Sequence, residues 1–272
     1  MKRRFIQCDV FSSTALKGNG LAVVVEGADL TPAQMQDFAN WTQQAETTFL
    51  MPSDRGGDYR VRIFSATGEM RFAGHPTLGS CAAWLHAGGI PQNEGCVIQD
   101  CDVGLVEIDL TGEAPAFEAP QTRIAPMPPQ TRNAICTALT IATDEVLNAV
   151  QLDNGVLRNV IELSNAARVL SLDAHAVSKP AFNGVSIIGA NGAGYEVRNL
   201  TPASLASEDP VTGSLIAAVA CWLHGVGRLT APIVLAQGTA LGRQGRAVAT
   251  PRGNDIWIGG HTSIVIDGHV TL

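Results

Sequence analysis

Two stretches of this chain place a proton-competent side chain directly before a proline and then enter an apolar run. The first reads Phe72-Ala73-Gly74-His75-Pro76-Thr77-Leu78-Gly79-Ser80 and runs on to Trp84-Leu85-His86. The second reads Glu208-Asp209-Pro210-Val211-Thr212-Gly213-Ser214 and runs on to Trp222-Leu223-His224. Proline suits the first position of a helix and aspartate the position that caps it, so the spacing predicts helices starting at Pro76 and Pro210. On this reading His75 and Asp209 hold the same place in an internal repeat. Capping alone would account for either residue, but their equivalence in the repeat favours chemistry. Unpaired N–H groups and the positive end of the macrodipole at two such starts could hold one carboxylate-bearing ligand. The same field favours a neutral His75 ring, usable as donor or acceptor.

A third candidate is Glu46, in Ala45-Glu46-Thr47-Thr48-Phe49-Leu50 at the entrance of a predicted strand. If Thr47 and Phe49 face one way, period-two alternation sends Glu46, Thr48 and Leu50 the other, and a carboxylate on an inward face is a candidate general base. An exposed strand-end glutamate is the plainer alternative. No Walker, dinucleotide-fingerprint, His-Glu-x-x-His or zinc-ribbon spacing is present, so no cofactor and no metal is expected. The six cysteines, Cys8, Cys81, Cys96, Cys101, Cys136 and Cys221, form no Cys-x-x-Cys pair and read as reduced core thiols.

Composition narrows the partners. The formal net charge is -7 with a pI near 5.3, and the one basic run, Lys2-Arg3-Arg4, is short, which argues against a nucleic-acid partner. That run is followed by Phe5-Ile6-Gln7-Cys8-Asp9, which breaks any signal-peptide apolar region, and no run is long enough to span a bilayer; a cytoplasmic protein is expected.

The elements that must position these residues follow from periodicity and turn signals. Strands are predicted at residues 5–11, 21–25, 47–51, 59–64, 96–101 and 104–110, with a helix from Thr31-Pro32 to about Trp41. Residues 112–130 are proline-rich and predict a crossover between two halves. Beyond it come a helix at residues 144–150, strands at 156–163, 185–190, 195–199, 233–237, 247–250 and 255–258, and a last pair at 262–266 and 270–272. An uncharged helix that is apolar all round must be enclosed, so each half is expected to be a curved, mainly antiparallel sheet wrapped around one central apolar helix, an α+β arrangement.

Taken in order, Asp9-Val10-Phe11, Gly18-Asn19, Ala45-Glu46-Thr47-Thr48-Phe49, Arg62-Ile63-Phe64-Ser65 with Glu69, Gly74-His75-Pro76-Thr77, Glu208 to Ser214, and Gln237-Gly238 with Leu241-Gly242-Arg243 span nearly the whole chain. This set resembles the PhzF-like phenazine-biosynthesis isomerases, which share the diaminopimelate epimerase fold. The resemblance implies two pseudo-symmetric halves, residues 1–118 plus 264–272 and residues 119–263, with an active-site cleft between them. It implies cofactor-free proton transfer with Glu46 as shuttle, His75 and Asp209 as polar partners, and Asn19, Gly74, Gly213 and Ser214 binding a small carboxylate-bearing substrate. A dihydro-3-hydroxyanthranilate-like substrate and a homodimer are also implied. Related epimerases carry two cysteines at the helix starts, where Gly74 and Asp209 stand here, so a carboxylate-mediated shift is expected rather than two-thiol racemisation. The alternatives are a racemase or epimerase on the same scaffold and a non-catalytic metabolite-binding protein. Gly20, Ala66 and Gln244-Gly245 depart from common proline or Pro-Ser positions of the family, in predicted loops.

Overall fold

The computed structural model describes residues 1–177, 185–201 and 207–272. Through Glu118 the chain forms β1 (Lys2–Val10), β2 (Asn19–Val24), α1 (Pro32–Thr42), β3 (Glu46–Met51), β4 (Tyr59–Ser65), β5 (Gly68–Met70), α2 (Gly74–His86), β6 (Cys96–Cys101), β7 (Gly104–Asp109) and β8 (Ala116–Glu118). It continues with β9 (Arg123–Pro126), α3 (Pro129–Leu139), β10 (Asn148–Asp153), β11 (Leu157–Leu163), α4 (Ala166–Leu170), β12 (Val185–Asn191), β13 (Gly194–Leu200) and β14 (Glu208–Asp209). Last come α5 (Gly213–Gly225), β15 (Ile233–Gln237), β16 (Gly245–Arg252), β17 (Asp255–Gly259) and β18 (Thr262–Thr271).

Two compact units result, Met1–Glu118 with Gly259–Leu272, and Ala119–Ile258. In the first, β1 lies between β18 and β2, both antiparallel to it, and the sheet continues through β3, β4, β6, β7 and β8. Only the β2–β3 and β4–β6 contacts of this series are parallel. The sheet curls around α2, which touches β1, β2, β3, β4, β6, β8 and β18. Enclosure follows from composition: Gly74 through Cys81 are all buried, so a charge on this stretch would need a partner. On the opposite side α1 packs Met35, Phe38 and Ala39 against Phe49, Phe64 and Val24.

In the second unit β9 pairs with β10, β10 with β11, β12 with β13, and β15 with β16, all antiparallel, while β11–β12 and β13–β15 are parallel. Helix α5 is buried at every residue from Leu215 to Ala220 and again at Trp222 and Leu223, whereas α3 and α4 contribute Ile135, Leu139 and Val169 to a separate core with Ile161, Leu163 and Ile187. Both units are mainly antiparallel sheet with an apolar helix, the α+β class. Among the described residues no helix is long and apolar enough to cross a membrane.

Four sequence expectations need correction. The helix expected at residues 144–150 is a short 3₁₀ turn, Thr143–Glu145, followed by β10, because Asn148–Asp153 finds strand partners on both sides. The helix lies earlier, at Pro129–Leu139, where Pro128-Pro129 start it rather than merely marking a crossover. The expected last pair of strands is one strand, β18, with a register shift opposite Gln7 and Cys8. Gly20 is not in a loop: it pairs with Asp9 inside β2, and Gln44 Oε1 lies 2.5 Å from where a Cβ would stand.

Candidate active-site residues

Glu46 is the first residue of β3, paired with Leu21 of β2 and Ser65 of β4. Helix α1 ends with Gln43 in the left-handed region (φ 56°), which turns the chain into β3. Alternation then sorts the side chains between two helices. Thr47 Oγ1 meets Thr42 Oγ1 of α1 at 2.9 Å, and Phe49 lies edge-on to Phe38. On the other face Ser80 Oγ donates to Thr48 Oγ1 (3.0 Å), and Glu46 Oε2 lies 2.9 Å from His75 Nδ1, so Glu46 and Thr48 face α2.

His75 is 4% exposed and Glu46 20%. The Nε2 of His75 is buried and has no partner among the described residues. A bare buried lone pair costs less than a bare buried N–H, so the ring carries its proton on Nδ1 and donates it to Glu46. That bond occupies Oε2 and leaves Oε1, which has no protein partner among the described residues and is not sealed from solvent.

The start of α2 is held from below. Thr77 Oγ1 donates to Ala73 O (2.9 Å), Gln99 Nε2 donates to Thr77 Oγ1 (3.0 Å), and Tyr59 Oη donates to Gln99 Oε1 (3.0 Å). Gly74 is required by packing: Phe117 Cζ lies 2.5 Å from where its Cβ would be, so the ring fills the space a side chain would need. Nearby, Asp9 Oδ2 accepts from the N–H groups of Lys17 and Gly18 (2.8 Å each), and Gly18 passes so close to Val10 O that a Cβ would sit 2.2 Å away. This fixes the approach to Asn19, which is buried opposite Val10. The structure thus joins Glu46 to His75 directly and places Gly74 and Asn19 in the same unit.

In the second unit the helix begins later than expected. The residue capping α5 is Thr212, not Asp209, and Gly213 is the first helical residue. In α2 the cap is Ala73 and Gly74 is first, so His75 is the second residue of its helix whereas Asp209 lies outside its own. The two side chains are therefore not equivalent; the counterpart of His75 is Ser214. The repeat misled because proline tolerates both places: Pro76 sits inside the first turn and Pro210 in the segment before the cap.

Asp209 is instead fixed by a network. Its Oδ2 accepts from the Thr212 hydroxyl, which itself accepts from Asn199 Nδ2 (3.0 Å) and Gln237 Nε2 (3.1 Å). Gln237 also donates to Asp209 O (2.9 Å) and accepts from Thr212 N (3.0 Å). Beside Asp209, Glu208 is gripped by Arg198 through Nε and Nη2, while Arg198 Nη1 donates to Val169 O and Leu172 O. Ser214 Oγ accepts from Arg158 Nη2 (2.8 Å), and its carbonyl accepts from Asn154 Nδ2 (2.8 Å).

Sequence reasoning missed Arg158 and Asn154. Asn154 lies in the turn between β10 and β11 and Arg158 is the second residue of β11, and a turn signal says nothing about contact with residue 214. Burial pushes the thiols of Cys8 and Cys81 up to about 12, and the other four cysteines are also shifted upward, chiefly by burial. Among the described residues no three His, Cys, Asp or Glu side chains gather as a metal would require.

Comparison with known proteins identifies the family and the fold. The profile of the family described as "Phenazine biosynthesis-like protein" matches residues 8–268. "Antisense-enhancing sequence 1" of Schizosaccharomyces pombe is 32% identical, covering 97% of each chain. The trans-2,3-dihydro-3-hydroxyanthranilate isomerase of Pseudomonas fluorescens is 29% identical over 92% of this chain and 90% of its own. Among solved structures, a PhzF-family phenazine biosynthesis protein of Bacillus anthracis superposes with TM-score 0.84 at 17% identity over the whole of both chains. A hydroxyproline epimerase of Agrobacterium vitis gives 0.65 at 14% identity, over 99% of this chain and 92% of its own, which marks a shared fold. With its profile matched along almost its full length and its fold shared with that family's structures, the chain belongs to the PhzF-like phenazine-biosynthesis family of isomerases.

Proposed function

We propose that this protein is an isomerase that moves a proton, and with it a double bond, on a small carboxylate-bearing metabolite, with Glu46 as both base and acid. The observation that carries the reading is the half-engaged carboxylate: His75 holds Oε2 at 2.9 Å, while Oε1 has no protein partner among the described residues. A carboxylate oriented by one oxygen and open at the other can take a proton from one carbon and return it to a neighbouring one without changing its hydrogen bond to the histidine. His75 acts as a fixed donor in this scheme. A proton on its Nε2 would be a buried donor without an acceptor, which argues against the ring as carrier.

Asp209, Gly213 and Ser214 are proposed to act on the same substrate, Asp209 as a polar partner and the start of α5 as a binder of negative charge. A dihydro-hydroxyanthranilate-type substrate is the finer form of the proposal, supported by the named activity of the Pseudomonas fluorescens relative. The packing of Phe117 into the space beside Gly74 speaks against a two-thiol racemase.

The test is isotope exchange. Small unsaturated carboxylic acids are incubated with the protein in deuterium oxide, and label at carbon and bond position are read by NMR. The wild type should introduce deuterium with a shifted double bond, and Glu46→Gln should lose at least about 10²-fold of that rate, the lower end of what a general base contributes. Turnover by Glu46→Gln within a few-fold of wild type would remove Glu46 as shuttle. Inversion at a carbon without bond migration would make the protein an epimerase.

A further inference from the structure

Arg158 is a cation in an unusual place. It stands on β11 opposite Leu152, and its guanidinium donates to Val156 O (3.2 Å) and to Ser214 Oγ (2.8 Å) at the start of α5. Arg3, Arg62 and Arg198 are also withdrawn from solvent, and each grips a carboxylate. Arg158 is half-buried and, among the described residues, has no carboxylate within ion-pair distance. It also lies against the positive end of a helix, where a second positive charge is unfavourable unless an anion joins them. Burial disfavours its charged form, and Asp209, beyond ion-pair range, partly offsets this.

Two further details fit an anionic ligand. Of the five guanidinium N–H donors the two contacts above use two, which leaves three without a protein acceptor among the described residues. Ser214 Oγ accepts from Arg158, so its own O–H remains a donor.

Resting on the reading of this protein as an isomerase of small carboxylates, we propose that Arg158 binds the substrate carboxylate, together with the Ser214 hydroxyl, and thereby restricts the enzyme to substrates carrying a full negative charge. A neutral isostere would leave a desolvated guanidinium facing an amide, so selection is against amides and esters as much as for acids.

The probes are 2-aminobenzoate and its neutral isostere 2-aminobenzamide, titrated calorimetrically into the full-length wild type, Arg158→Gln and Arg158→Lys. The wild type should bind the acid at least about tenfold more tightly than the amide. Arg158→Gln should lose about 10- to 100-fold of the acid affinity, the scale of one hydrogen bond to a charged group, and with it the preference. Arg158→Lys keeps the charge without the fork and should fall between. The proton-shuttle reading is tested separately, by isotope exchange with Glu46→Gln, so its failure appears in exchange and failure of this inference appears in binding. The inference is overturned if folded Arg158→Gln keeps affinity and preference within about twofold, if Arg158→Lys binds the acid like wild type, or if the wild type fails to prefer the acid.

Discussion

Replacing Thr212 by valine removes one hydroxyl and nothing else of comparable size, and it isolates the network that aims Asp209. The hydroxyl donates to Asp209 Oδ2 and accepts from Asn199 Nδ2 and Gln237 Nε2. Valine keeps the branched shape at the cap of α5, and the Thr212 backbone N–H still reaches Gln237 Oε1. Three consequences add up. A hydrogen bond to a carboxylate is lost, worth about 1.5–3 kcal/mol, and the Asn199 amide loses its acceptor in a poorly hydrated place at about 1–3 kcal/mol. The Gln237 amide keeps its bond to Asp209 O and costs little. A loss of roughly 2–5 kcal/mol follows, since such penalties overlap when the site relaxes. For a chain of this size that lowers the melting temperature by about 4–20 °C. Asp209 then loses the hydroxyl that orients Oδ2, so isomerase turnover should fall by about 10-fold or more while Glu46 and His75, in the other unit, remain joined. Thermal unfolding and deuterium exchange, measured for Thr212→Val and Thr212→Ser, read the two effects. Serine retains the hydroxyl and should recover most of both. A valine variant that melts within about 1 °C of wild type would refute the network as the source of Asp209's orientation.

Two further outcomes follow from packing and ionisation. Gly74→Cys, which imitates the epimerase position, should lose about 1–3 kcal/mol of stability by overpacking against Phe117, because its Cβ would approach the ring to 2.5 Å. The loss should shrink when Phe117→Leu is added, and an unperturbed melting curve for the single variant would count against the plug. Burial holds the Cys8 and Cys81 thiols near 12 in the folded chain against 9.0 in the unfolded one. Above pH 9 the unfolded state therefore binds fewer protons than the folded state, and stability should decline as pH rises toward 12, by up to ~1.4 kcal/mol per pH unit for each thiol. Urea unfolding of wild type and of Cys8→Ala with Cys81→Ala tests this; identical alkaline limbs would show that other groups are responsible. Thiol alkylation at neutral pH should leave turnover intact.

What sequence alone determined here was set by local composition. An uncharged helix must be enclosed, so the segments opening at Gly74 and Gly213 had to become central helices, and the class of the fold followed. Alternation about Thr47 and Phe49 likewise sent Glu46 and Thr48 to the face that meets α2, since strand period is independent of what lies opposite. The tertiary structure decided matters that depend on partners distant in sequence. Asn148–Asp153 became a strand because β9 and β11 offered hydrogen bonds on both sides, which overrode a helical pattern. His75 and Asp209 read as equivalent because each precedes a proline, yet the helix starts fall on different sides of that proline. For α5 the start is set by Thr212, held in place by Gln237 and Asn199 from other strands. Arg158 and Asn154 carry no local signature for their contacts with Ser214, because a hydrogen bond across 56 or 60 residues is made by the path of the sheet and by no spacing in the chain.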